Sequence, residues 1–261
     1  MKVNYHTHTK RCNHAIGEDE EYVLAAIKGG FDVLGFSDHT PWDYVNGYIP
    51  RIRMQLKDIG EYCASIEHLR KKYAKQIKIL IGVEAEYFPE YFDAFKKMIK
   101  DYHLDYVIFG NHFYPNDCDG VYFGSVADQD AYLDLYVKHA ITALETGVYS
   151  YFAHPDLFMR GRHEFDEKAR TASYQICEYA KNNDVILEYN LEGLRISRES
   201  HNVYYPYNEF WKIAAEIGNR AIIGVDAHNP SSLERTDLYD ESKEYLTNLG
   251  FKLEEELPRK F

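Results

Sequence analysis

Short, almost continuously apolar runs alternate along the chain with longer segments whose apolar positions recur at helical spacing. The first class comprises Val3 to Tyr5, Phe31 to Phe36, Ile77 to Val83, Tyr106 to Phe109, Val148 to Ala153, Val185 to Leu187 and Ala221 to Val225. These runs predict strands, and they are too apolar for half-exposed antiparallel edges. The second class predicts helices over Glu18 to Lys28, within Arg51 to Lys75, and over Tyr91 to Lys100, Asp128 to Thr146, Asp166 to Asn182, Tyr207 to Ile217 and Ser232 to Leu246. Acidic residues open the first of these helices and Gly29-Gly30 closes it, while Gly147 and Gly250 mark later stops.

Seven consecutive βα units fit either an open doubly wound sheet or a closed barrel. Histidines and carboxylates follow six of the seven predicted strands: His6, His8 and His14, then Asp38 and His39, Glu84, His112, His154, and finally Asp226 and His228. In a barrel all strand ends meet at one mouth, whereas the crevice of an open sheet collects residues from fewer strands. The expected fold is therefore an α/β, TIM-like (β/α)7 barrel. Pro and Gly are scattered at turns and no linker composition interrupts the pattern, so residues 1–261 are expected to form one domain.

Forty-two acidic against thirty basic residues give a formal charge of −12. That balance argues against a broad nucleic-acid-binding face but leaves room for a local phosphate pocket. Cys12, Cys63, Cys118 and Cys177 form no CxxC pair and suggest free thiols in a reducing compartment. With no apolar run near the roughly 20 residues of a membrane helix, and no basic-then-apolar leader at the start, the expected location is the cytoplasm. Phosphate-loop, dinucleotide-binding and serine-hydrolase signatures are all missing from the sequence.

The histidines carry the chemistry. His6 and His8 are two extended residues apart, so both imidazoles point to one side, and Asp226 and His228 repeat the spacing. Seven of twelve histidines and three carboxylates make ten candidate ligands, too many for one ion, so two or three divalent ions are expected. Zinc, iron(II) and manganese(II) all suit such donors. Glu84 follows the apolar Ile79-Leu80-Ile81 run, where an uncompensated carboxylate is costly, and is the best bridge between two cations. Glu86 shares its parity and is read as solvent-facing or substrate-binding. Cys12 is read as a packing neighbour of the ligands.

His6-Thr7-His8 with Cys12-Asn13-His14, Phe36-Ser37-Asp38-His39, Gly82-Val83-Glu84, Gly110-Asn111-His112, Ala153-His154-Pro155 and Gly224-Val225-Asp226-Ala227-His228 together resemble the PHP (polymerase and histidinol phosphatase) superfamily over almost the whole chain. The long second βα insertion and Gly110-Asn111-His112-Phe113 resemble its stand-alone histidinol-phosphatase branch. The resemblance implies a distorted (β/α)7 barrel of the PHP type with a trinuclear centre. It assigns His6, His8, Glu84 and Asp226 to one ion, Glu84, His112 and His154 to a second, and His14, His39 and His228 to a third. Asp38 would orient His39 or manage a proton, because carboxylates commonly fix ligating imidazoles.

The activity implied is hydrolysis of L-histidinol phosphate to L-histidinol and inorganic phosphate, with Glu84, Asp226 and Asp38 in catalytic roles. Arg160 and Arg195 are the expected phosphate-binding residues, with Arg162, His163 and Arg198 as reserves in the same loops. Trp42, Tyr114, Tyr189, Asn190 and Glu192 are candidates for the amine and imidazole of the substrate, and Tyr204 to Tyr207 for either a lid or a packing loop. A phosphoesterase of the same superfamily acting on nucleotides or nucleic acid, and a nonenzymatic metal-binding interaction protein, are the alternatives.

Overall fold

A computed structural model describes residues 1–261 except Val45, His163, Arg259 and Phe261; His163, a reserve for phosphate binding, thus lies outside the described residues. Seven parallel strands run in the order β1 (Val3–Asn4), β2 (Val33–Phe36), β3 (Lys78–Ala85), β4 (Tyr106–Gly110), β7 (Tyr151–Ala153), β8 (Ile186–Asn190) and β9 (Arg220–Gly224). The remaining two, β5 (Phe113–Tyr114) and β6 (Val121–Tyr122), form an antiparallel hairpin after β4. Helices α1 (Asp19–Lys28), α2 (Ile59–Lys72), α3 (Phe92–Asp101), α5 (Asp130–Glu145), α6 (Glu167–Asn182), α8 (Asn208–Ile217) and α10 (Asp237–Asn248) alternate with the barrel strands as expected. The short α4 (Phe123–Val126), and α7 (Leu191–Ser200) directly after β8, were not foreseen, while the single helix expected over Ser232 to Leu246 is divided into α9 (Ser231–Glu234) and α10.

The sheet closes at its C-terminal rim. There Thr7 and Ala227 pair as a parallel bridge, with His8 N–H donating to the Ala227 carbonyl at 2.9 Å and Ala227 N–H to the His6 carbonyl at 3.1 Å. Closure therefore runs through the two ligand motifs themselves. The result is the nearly closed (β/α)7 barrel that the pattern predicts.

Its interior is filled by Val3, Tyr5, Val33, Tyr106, Ile108, Tyr151, Ala153, Ile186 and Ile222, and a larger apolar layer packs the helices on the outer face. Burial on both faces is why the strand runs read as continuously apolar. Tyr106 spans the interior with its hydroxyl 2.7 Å from the Tyr5 carbonyl and 2.9 Å from that of Phe36. Its ring lies against Gly35 and Gly82, where a Cβ would stand 2.3 and 2.6 Å from tyrosine atoms.

The helix expected within Arg51 to Lys75 is α2, and the chain from β2 to it runs as an irregular strap ending in a short 3-10 turn, Leu56–Asp58. Strand β8 continues past Leu187 to Asn190, with Glu188 and Asn190 fully buried.

Candidate metal centre and adjoining cavity

All nine expected metal ligands converge at the C-terminal mouth. Because the β1 and β9 exits pair in register, His6 and His8 meet Asp226, whose Oδ1 lies 3.3 and 3.0 Å from their Nε2 atoms. Glu84 ends β3 beneath them. One oxygen faces His154 Nε2 at 2.9 Å and His112 Nε2 at 3.4 Å; the other faces His39 Nδ1 at 3.1 Å, His6 at 3.5 Å and His8 at 3.6 Å. His14 and His228 complete the outer end, their rings 6.2 and 4.2 Å from that of His8.

The motif glycines make room for this packing. A Cβ on Gly110 would lie 2.4 Å from both Glu84 Oε1 and His112 Cε1, and one on Gly224 would lie 2.2 Å from Glu188 Oε2. Two of the six non-glycine residues described with positive φ are ligands, His154 at +33° and Asp226 at +52°, a region such residues seldom occupy and that functional sites often hold.

Three imidazole pairs bring Nε2 atoms face to face: His6 with His8 at 3.1 Å, His112 with His154 at 3.2 Å, and His14 with His228 at 3.0 Å. In the last pair both Nδ1 atoms sit on backbone carbonyls, those of Cys12 at 2.8 Å and Asp226 at 3.0 Å, so both protons belong on Nδ1. Two bare lone pairs then point at each other, an arrangement that a shared cation makes favourable. Two nitrogens about 2.0–2.1 Å from one tetrahedral ion are about 3.3 Å apart, close to the spacing found. Glu84 Oε2, Asp226 Oδ1 and the Nδ1 atoms of His8, His39 and His154 are also buried without a hydrogen-bond partner. The donor set fits divalent metal.

Burial alone would raise Glu84, but His112 and His6 hold it well below the ordinary carboxylate range, and the carboxylates in turn raise both imidazoles against their own burial. Asp226 is likewise held low, with His6 and His8 outweighing burial. Burial keeps His39 well below its ordinary value and takes His228 down to about 3, so both offer neutral, ligating imidazoles.

Two buried carboxylates that sequence reasoning did not place stand behind the ligands. Glu188 accepts from His6 Nδ1 at 2.9 Å, and Glu86 lies 3.0 Å from His112 Nδ1. Glu86 is fully buried and ion-paired with Arg53, which corrects its reading as solvent-facing or substrate-binding. Glu188 lies within β8 and Glu86 just past the end of β3, each next to an apolar run of the kind that singled out Glu84. Asp38 is also fully buried. It accepts from the Thr9 hydroxyl and the His39 backbone N–H, and its Oδ1 lies 3.6 Å from His8 Nδ1; among the described contacts it faces the His8 ring, where that of His39 was expected.

A cavity of about 400 Å³ opens over the centre, lined by the ligands other than His6 together with Phe113, Tyr122, Arg160, Glu192, Ile196 and Tyr205. Arg160 projects into it, with Nη1 3.3 Å from the Tyr122 hydroxyl. Arg195 does not line it. Its guanidinium is engaged by Glu192 and Glu199 and lines a neighbouring cavity. Arg162 pairs with Asp130 and Asp166, and Arg198 with Glu241. Of the substrate candidates only Glu192 reaches the catalytic cavity. Trp42 is buried against Phe88, Tyr189 against Trp211, and Asn190 donates to Glu188 and Asp226, while Tyr114 packs near His139. Tyr205 is a buried wall residue, whereas Tyr122 had no distinguishing signal among twenty-four tyrosines.

Comparison with known proteins agrees with this geometry. The PHP domain family matches residues 4–192. The chain is 27% identical over 232 residues to the probable histidinol-phosphatase of Deinococcus radiodurans, covering 87% of this chain and 86% of that one. It is 26% identical over 276 residues to the probable histidinol-phosphatase of Schizosaccharomyces pombe, covering 96% and 87%. Its fold matches the crystal structure of a histidinol phosphate phosphatase from Lactococcus lactis complexed with zinc, L-histidinol and phosphate, at a TM-score of 0.73 and 19% identity over 97% of this chain and 95% of that one.

Proposed function

Because the chain belongs to the PHP domain family, we propose that it is a metal-dependent histidinol-phosphatase, a single catalytic barrel that hydrolyses L-histidinol phosphate to L-histidinol and inorganic phosphate. The observation that carries this reading is the set of facing imidazole pairs around Glu84 and Asp226, at the floor of a cavity that also holds Arg160. The two relatives that align along most of the chain bear that name and support the substrate assignment.

We assign three ions, of zinc, iron(II) or manganese(II): one to His6, His8, Glu84 and Asp226, one to Glu84, His112 and His154, and one to His14, His39 and His228. Ions held there would supply the acidity that makes water a nucleophile at neutral pH and positive charge for the phosphoryl oxygens. The protein's own groups do the rest. Arg160 offers a planar donor array to the phosphoryl group, steadied by the Tyr122 hydroxyl. Glu192 places a carboxylate on the cavity wall for the substrate's ammonium, and Phe113 and Tyr205 give its imidazole an aromatic face. Arg195 acts at one remove, holding Glu192 through a two-point ion pair. Asp38 acts through His8, and protonation of the leaving alkoxide falls to water or a cavity histidine. Phosphate esters of this size need no nucleic-acid surface. The described cysteines are all free, which supports a reducing, cytoplasmic setting. No described helix is long and apolar enough to cross a membrane.

The test is phosphate release from L-histidinol phosphate, p-nitrophenyl phosphate and nucleotide monophosphates at matched concentrations, with metal counted on the same preparation. A strong, metal-dependent preference for histidinol phosphate is expected. Weak turnover of it by fully loaded protein would reject the substrate while leaving the hydrolytic site.

A further inference from the structure

Arg53 is fully buried in the strap between β2 and α2, and its neighbour Ile52 lines the cavity over the centre. Its guanidinium donates from Nη2 and Nη1 to the two oxygens of Glu86 at 2.9 and 3.0 Å, from Nη1 to the Thr40 carbonyl at 3.1 Å, and from Nε to Asp117 Oδ2 at 2.9 Å. Burying a guanidinium is costly unless its donors are matched, and here they meet two carboxylates and a carbonyl. Such a group is built into the fold for what it holds in place.

One arm leads to the metal centre. Glu86 accepts from Arg53 on both oxygens and from the Trp42 indole N–H at 3.2 Å, and its Oε1 faces His112 Nδ1 at 3.0 Å. Surrounded by donors, Glu86 can only accept from His112. A neutral imidazole there must therefore carry its proton on Nδ1 and present a bare Nε2 to the cavity. The other arm leads to the cavity wall. Asp117 lies in the turn between β5 and β6, and the hairpin supplies Phe113 and Tyr122 to the lining. The Tyr44 hydroxyl donates to the same carboxylate, and that of Tyr48 to the Asp117 carbonyl at 3.2 Å, so strap and hairpin are joined at this point.

We propose that Arg53 is a positioning residue with two separable arms: through Glu86 it fixes His112 in its metal-ligating tautomer, and through Asp117 it holds the β5–β6 hairpin as a wall of the substrate cavity. Only the second arm rests on the phosphatase reading above.

The holoenzyme and its Glu86→Gln, Asp117→Asn and Arg53→Lys variants should be compared in metal content per chain, rate of metal loss to a chelator, and kcat and KM with L-histidinol phosphate and p-nitrophenyl phosphate. Glu86→Gln is expected to lose one ion about 10–100-fold faster, the range typical of groups that orient a ligating histidine. Asp117→Asn should keep the wild-type rate of metal loss and raise KM several-fold with kcat retained. Arg53→Lys, which keeps one charge but loses the fork, should show both effects, and it reads the first arm if Glu86→Gln does not fold. Wild-type metal retention in Glu86→Gln or Arg53→Lys overturns the first arm, and unchanged KM in Asp117→Asn overturns the second. Faster metal loss in Asp117→Asn would show that the arms are not separable. If the wild type ignores histidinol phosphate, the substrate reading fails, while metal loss and KM for p-nitrophenyl phosphate still test both arms.

Discussion

Replacing Asp156 by Asn should flatten the dependence of stability on pH. Asp156 is fully buried beside the turn that carries Arg160, and its Oδ2 accepts from the Tyr207 backbone N–H at 2.6 Å and the Trp211 indole at 3.2 Å. Its Oδ1 has no partner. Burial moves the carboxyl up from an ordinary value of 3.8 to about 7, with the two donors offsetting only part of the effect. A carboxyl raised on folding contributes stability that is complete below its unfolded value and is lost as pH rises through its folded one. The gap between 3.8 and about 7 corresponds to about 4 kcal/mol. Roughly 2.5 kcal/mol of that falls between about pH 5 and pH 8. Asparagine keeps an acceptor for Tyr207 and Trp211 but does not ionise, so its stability relative to wild type should climb by that amount across the window. Urea unfolding of both proteins, stripped of metal so that ligand release adds nothing, measures the difference at each pH. A difference constant to within about 0.5 kcal/mol would mean that Asp156 does not ionise there, and the reasoning would fail.

Other expectations concern the centre and its cavity. Glu84→Gln removes the carboxylate that faces five imidazoles, and kcat should fall on the order of 10³-fold together with metal content, read by phosphate release and elemental analysis. Arg160→Ala should keep its metal and lose about 10- to 100-fold in kcat/KM, as expected for a charged hydrogen bond of about 1.5–3 kcal/mol; a loss equal to that of Glu84→Gln would refute the division of roles. Arg195→Ala should cost far less than Arg160→Ala, because its guanidinium is already engaged outside the cavity by Glu192 and Glu199. Gly110→Ala forces a Cβ to 2.4 Å from Glu84 and His112, so it should fold with a penalty of about 1–3 kcal/mol and bind less metal than wild type in dialysis against a defined free-metal buffer.

Barrel and ligands were legible for related reasons. Strands covered on both faces read as unbroken apolar runs, and histidines or carboxylates at their ends stand out because nothing else in such a strand calls for them. The same logic fails where polar residues point into the core. In the sequence strand β8 reads as ending at Leu187 because Glu188 and Asn190 have the character of a loop start, yet they continue the strand and hold His6 and Asp226. The strap before α2 also escapes, since Arg53 and its carboxylate partners lie apart in sequence and only the closed fold brings them together.

Arg160 and Arg195 show how one missed element becomes a misplaced side chain. Both are arginines in strand-exit segments, and composition does not separate them. Helix α7 is hard to see because it is polar and carries Gly193 in its first turn. Its start is fixed by the Asn190 side chain, which accepts from Gly193 N–H at 2.8 Å, and Gly193 lies against Tyr205 with no space for a Cβ. Once Leu191–Ser200 is a helix, Glu192, Arg195 and Glu199 fall at i, i+3 and i+7 on one face, the spacing at which opposite charges pair. That spacing directs the Arg195 guanidinium along its own helix to Glu192 and Glu199. Arg160 ends a single 3-10 turn, with no carboxylate among its described hydrogen-bond partners; its guanidinium lies over the Tyr122 ring and reaches the cavity.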